Sequence, residues 1–146
     1  MTKLHVSDPG FTAEISYSNT VQGGTTGTQP TFNGAPLFDA SYLLSGSIVH
    51  FRISVLMTNI TNFGTGQYYM TLPFNAKYDY YFRGGILTDF STSKKYSISG
   101  HVSAGSNMMY MHTTASNGDE TNFTSSVPFN LAVADDFHIW GEYIRE

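Results

Sequence analysis

Residues 47–58 read Ser-Ile-Val-His-Phe-Arg-Ile-Ser-Val-Leu-Met-Thr, and this stretch decides the fold. Val49, Phe51, Ile53, Val55 and Met57 recur at every second position, with Ile48, His50, Arg52, Ser54 and Leu56 between them. A repeat of two is that of a β-strand, whose side chains alternate between faces, so the uniformly apolar set faces a core. A helix would set Arg52 among the same apolar residues, and the β-branched content also opposes it. The end of the chain, residues 136–145, alternates in the same way. Phe137, Ile139, Gly141 and Tyr143 oppose His138, Trp140, Glu142 and Ile144. Near the start, Phe11, Ala13, Ile15 and Tyr17 alternate with Thr12, Glu14 and Ser16, the pattern of a half-buried strand.

Further strands are predicted over 38–44, 67–72, 78–90, 95–103 and 107–113. Ser45-Gly46 is read as a tight turn, and Pro73 closes the strand before it because proline cannot donate to a ladder. Gly84-Gly85 marks a bulge or a close backbone approach. Residues 19–36, 59–66 and 114–126 are rich in Gly, Thr, Ser and Asn and read as connections. The expectation is an all-β, single-domain antiparallel β-sandwich, jelly-roll-like, of about eight strands. It should span residues 11–146 behind an N-terminal arm, residues 1–10, that turns at Asp8-Pro9-Gly10. Leu72-Pro73-Phe74-Asn75 is echoed by Val127-Pro128-Phe129-Asn130, two similar strand exits.

Composition narrows the function. Charged residues make up 12% of the 146, half the usual share of about 25%. Aromatics are abundant, with 11 Phe and 10 Tyr. Protein interfaces are depleted in charge and enriched in aromatics and Met, so an oligomer is expected. The net charge is −4, and the only adjacent basic pair is Lys94-Lys95, which argues against a nucleic-acid partner. No stretch has the length of a membrane span, and the first residues lack the apolar run of a secretion signal. With no Cys there is neither disulfide nor thiolate metal site, which suits assembly in a reducing cytoplasm. The sequons at Asn59 and Asn122 are read as unglycosylated.

No reactive constellation emerges. His5, His50, His101, His112 and His138 stand apart at spacings that suit no metal. Asp135 and Asp136 are adjacent, so a strand would point them to opposite sides, a poor acid–base pair. The run Asn117-Gly118-Asp119-Glu120-Thr121-Asn122 has oxygen ligands for a calcium ion but not the EF-hand pattern, and reads as a solvated turn. Neither a nucleophile elbow nor a phosphate-binding loop is present, so no catalytic residue, cofactor or metal is expected. Met109 and Met111 share one strand face and read as core, with Met108 opposite.

The run from Leu44 to Ile53 (LSGSIVHFRI), then Thr61 to Tyr68 (TNFGTGQY), then Leu72-Pro73-Phe74, resembles a β-sandwich family of tailed phages and prophages. That family reads G-x-x-V-x-F-x-I, T-x-F-G-x-G-x-Y and L-P in the same order. The close also resembles it: Val127-Pro128-Phe129-Asn130-Leu131-Ala132, then Asp136, then Gly141-Glu142-Tyr143. Here the acid precedes Tyr143, where the family places it after. The likeness spans about residues 11–145. It implies a virion surface module, a trimer, and no catalytic motif.

The first expectation is therefore a non-enzymatic, trimeric capsid decoration (cement) protein on the outer capsid surface, bound to the major capsid protein lattice. Only about ten residues precede the first strand and no shaft is present, which favours the shell over a tail fibre. The alternatives are a receptor-binding head of a tail fibre or tail tip, which would contact host-surface glycans, and a carbohydrate-binding jelly-roll module. The residues expected at an interface are Leu4, His5 and Val6 in the arm, Phe32 in the long connection, and Tyr80, Tyr81, Met108 and Trp140 on strands.

Overall fold

The structure, a computed structural model, describes residues 14–17, 21–22, 27–33, 37–115 and 117–146. The arm and the first three residues of the predicted 11–17 strand lie outside them.

The decisive stretch forms β5 (Ile48–Leu56), with Val49, Phe51, Ile53 and Val55 buried as the alternation requires. It makes a hairpin with β4 (Leu37–Ser45), closed by Ser45 opposite Ile48. The two loop residues are Gly46 and Ser47, one position later than the sequence reading. Gly46 sits at φ 60°, the conformation that a tight hairpin loop demands of its first central residue. The other edge of β5 takes the C-terminal strand β13 (Asp136–Ile144), in register from Asp136 opposite Leu56 to Ile144 opposite Ile48. Phe137, Ile139 and Tyr143 thereby join Ile53 and Phe51 inside.

β13 next pairs with β9 (Gly84–Asp89), and β9 with the first half of β10 (Lys94–Val102). At the opposite edge lies the short β1 (Ile15–Ser16). Ile15 points to the core side, yet it stays 40% exposed, because β1 is the outermost strand and little covers it. Tyr17 on the same side does pack against the core.

β10 belongs to two sheets. Residues 94–97 pair with β9, whereas Ile98–Val102 pair with β11 (Met108–Thr114) and Gly100–Val102 with β8 (Tyr80–Phe82). The chain crosses between sheets at Arg83, between β8 and β9. The second sheet continues from β11 to β7 (Tyr69–Thr71) and β2 (Val21–Gln22). β12 (Glu120–Asn122) also pairs with β11, and β3 (Thr31–Phe32) with β6 (Ile60–Asn62) forms a separate small pair. Close approach at the crossover is real: a Cβ on Gly85 would fall 2.6 Å from Ile98 Cγ1 and 2.8 Å from the Ile98 carbonyl oxygen.

The result is the expected all-β antiparallel sandwich, with thirteen strands among the described residues rather than about eight. Most of the extra strands are two- or three-residue pieces in segments without alternation, which periodicity cannot register. Two of them, β2 and β3, fall in the predicted connection 19–36, and β12 falls in the predicted loop 114–126. Phe123, read as part of that loop, is fully buried, edge-on to both Tyr68 (5.2 Å between ring centroids) and Phe137 (5.5 Å). Phe51 meets Phe82 across the two sheets at 4.9 Å. Met109 and Met111 are fully buried, as the core reading of that cluster has it.

Candidate binding faces

Much of the motif chemistry is spent on corners. In Thr61–Tyr68, Gly64 and Gly66 take φ of 70° and 86°, Asn62 Oδ1 accepts the Gly64 N–H at 2.8 Å, and the Tyr68 hydroxyl donates to the Phe63 carbonyl. Burial raises the pKa of that phenol. Two distant motif segments also hold each other. The Tyr143 hydroxyl donates to the Phe74 carbonyl at 2.9 Å and accepts the Phe74 N–H at 3.1 Å. Burial pushes the Tyr143 phenol up to about 12.

The buried acids are likewise engaged. Asp135 accepts the N–H groups of Phe90 (3.0 Å) and Ala132 (2.7 Å). Asp89 accepts the hydroxyls of Ser91 and Thr92 and their N–H groups, and the two hydroxyls chiefly hold its carboxyl below the usual range. Asn117 and Asp119 bond each other around Gly118, at φ 90°. Among the described residues no three His, Asp or Glu side chains gather as a metal site, and no helix is long and apolar enough to cross a membrane.

What remains is the outer face of each sheet, and the two differ. On the first sheet, direct pairing sets Ser41, Arg52, Trp140 and Gly84 in one row. Asp39, Ser54, His138, Ile86 and Ser97 form the next, and Leu56, Asp136, Thr88 and Lys95 the one beyond. This face is polar and charged. Arg52 meets Glu14 at 2.9 Å and Asp39 at 3.1 Å, His50 meets Glu142 at 3.3 Å, and His138 meets Asp136 at 3.2 Å. The Ser41 hydroxyl and then Arg52 hold the Glu14 carboxyl below its ordinary value, and Glu14 and Asp39 raise Arg52. The Arg52 and His50 pairs are solvent-exposed and add little stability.

On the second sheet the central row reads Tyr81, His101, Tyr110, Tyr69 across four strands. Tyr81 is 68% exposed and lies flat on His101, at 4.4 Å between centroids and 18° between planes. Tyr110 leans on Tyr69 at 5.8 Å. Met108 and Thr71 pair beside them. None of these residues is a Lys, Arg, Asp or Glu; charge enters at the margins, where Glu120 lies 3.9 Å from His112 and Arg83 borders the same hollow as Glu120.

The predicted interface residues therefore divide. Tyr81 and Met108 lie on the second sheet's outer face and Trp140 on the first. Tyr80 is largely committed inside the molecule: its hydroxyl accepts the Ile144 N–H at 3.0 Å and its ring stacks on Phe82. Phe32 is half-buried and edge-on to Phe38. Leu4, His5 and Val6 lie outside the described residues. His101 and Tyr110, which complete the aromatic row, were missed because only strand register brings them beside Tyr81. Gly84, which shapes the ground beneath Trp140, was read only as a backbone feature.

Comparison of the chain with family models, with curated proteins and with solved structures finds no match.

Proposed function

We propose that the chain is a non-enzymatic structural protein of a tailed-phage virion, a homotrimer that decorates the outer capsid surface. The observation that carries this reading is the uncharged Tyr81–His101–Tyr110 row on the second sheet. Aromatic, Met-containing and charge-free, it has the make-up of the central part of a protein interface. A stable interface covers about 800 Å² on each partner, so the contact must extend beyond Tyr81, His101 and Tyr110 to their neighbours on the same face. The motif resemblance and the low overall charge support the same reading. Such a protein stabilises a shell by mass action, because it binds the assembled lattice and not the separated subunits. Assembly takes place in the host cytoplasm, and neither nucleic acid nor membrane is a partner.

The test joins sedimentation with capsid binding. The free protein at micromolar concentration should run as a trimer, and Tyr81→Asp with His101→Asp should give monomers of unchanged circular dichroism. Labelled protein should coat expanded capsids in many copies. A wild-type monomer would remove the proposed interface. Labelling confined to the tail would move the protein to the second reading, a receptor-binding head, which a separate observation favours: the exposed Trp140 of the first sheet.

A further inference from the structure

We infer that the outer face of the first sheet binds a neutral pyranose sugar, stacked on the Trp140 ring. The site stands apart from the proposed subunit interface, which lies on the other sheet.

The argument starts from Gly84. It sits directly opposite Trp140 in the β9–β13 ladder. A Cβ built on Gly84 would fall 2.8 Å from Trp140 Nε1, 3.1 Å from Cε2 and 3.2 Å from Cδ1. Near-equal distances to three contiguous atoms of the five-membered ring mean an approach to the ring's face, not to its edge. The indole therefore lies flat across the glycine, in a position that any side chain at 84 would block. One ring face is against the sheet, the residue is 48% exposed, and the platform that results is flat and held in place.

Its surroundings select the ligand. Two shallow hollows, of about 350 and 440 Å³, flank the ring and share Trp140 and His138. Both fall in the lower part of the range for small-ligand sites, about 300–1,000 Å³. Arg52 and Ser54 border one hollow; Thr88, Lys95 and Asp136 border the other. Asp136 meets His138 Nε2 through Oδ2, and the Ser54 and Thr88 hydroxyls stand beside the Arg52 and Lys95 donors. The rim thus mixes donors and acceptors around an aromatic plane. A pyranose has that pattern in complement: an apolar face of C–H groups, and a ring of hydroxyls that both donate and accept. Arg52 is already paired with Glu14 and Asp39, and Lys95 borders the same hollow as the Asp136 carboxylate, so a polyanion gains little there, and an apolar peptide would have to desolvate several charges.

The sequence contains one tryptophan, so its fluorescence reports on this site alone. Methyl glycosides of glucose, galactose, mannose and N-acetylglucosamine are titrated into the full chain, each to about 50 mM, enough to see a Kd near 1 mM. At least one should change the emission saturably and show saturation-transfer NMR contacts through its C–H face. Trp140→Ala should weaken that NMR binding about tenfold or more, as loss of an aromatic stacking partner does, with an unchanged melting curve. Gly84→Val should do the same by lifting the ring. The inference is overturned by the absence of a saturable response from all four sugars, by binding that survives Trp140→Ala, or by emission that shifts with protein concentration alone.

Discussion

Tyr143→Phe removes one oxygen atom and tests how the two ends of the sandwich are joined. Tyr143 is 1% exposed, and its ring lies among Phe51, Tyr80 and Phe82 at centroid distances of 6.1–6.3 Å. Phenylalanine keeps that packing. What it loses is the pair of hydrogen bonds to Phe74, whose N–H and carbonyl lie just past Pro73, outside any strand. An unpaired buried polar group costs about 1–3 kcal/mol, and Phe74 is only partly buried, so one of its two groups regains water. The net loss is then about 2 kcal/mol. With a urea dependence of about 2 kcal/mol per molar for a chain of this size, the unfolding midpoint should fall by about 1 M at unchanged slope. Protein concentration must be held fixed, since an oligomer's stability depends on it. Tyr78→Phe, at an exposed residue, is the control and should stay within about 0.5 kcal/mol. If both variants unfold at the wild-type midpoint, the Tyr143–Phe74 bonds do not fasten this corner and the reasoning fails.

Phe51→Asp should abolish folding, because a charge in the core costs several kcal/mol, whereas Ser54→Asp on the outer face should fold; circular dichroism of the two separates them, and equal tolerance would mean that β5 is faced the wrong way. Gly85→Ala should destabilise by about 1–3 kcal/mol in thermal melts, since its Cβ meets the Ile98 carbonyl, and a neutral result would deny the close approach at the crossover. Burial raises the folded-state pKa of Tyr143 to about 12, and that of Tyr68 in the same direction, above the unfolded value of about 10. The unfolded chain releases these protons first, so their contribution is complete below about pH 10 and is lost above it, for Tyr143 as pH rises through about 12. Urea midpoints should therefore fall steadily above pH 10, less so in Tyr143→Phe; a flat profile to pH 11.5 would contradict it.

Alternation within a strand was enough to establish which side of residues 47–58 and 136–145 is core, that Met109 and Met111 lie inside, and that the chain is a β-protein. Those facts follow from the two-residue repeat, a local property that no distant residue can reverse. Which strands become neighbours is not local. β5, β9 and β13 are far apart in sequence, and only the pairing of β13 with both of the others sets Trp140 between Arg52 and Gly84. The same limit hid the Tyr81–His101–Tyr110 row, whose members come from three strands. It also hid the destinations of single side chains. Tyr80 and Tyr81 are adjacent in a run of aromatics, yet one caps a backbone N–H inside and the other faces outward. Phe123 sits in a polar stretch and fills the core, because burial depends on what packs opposite, and that is decided when the two sheets close on each other.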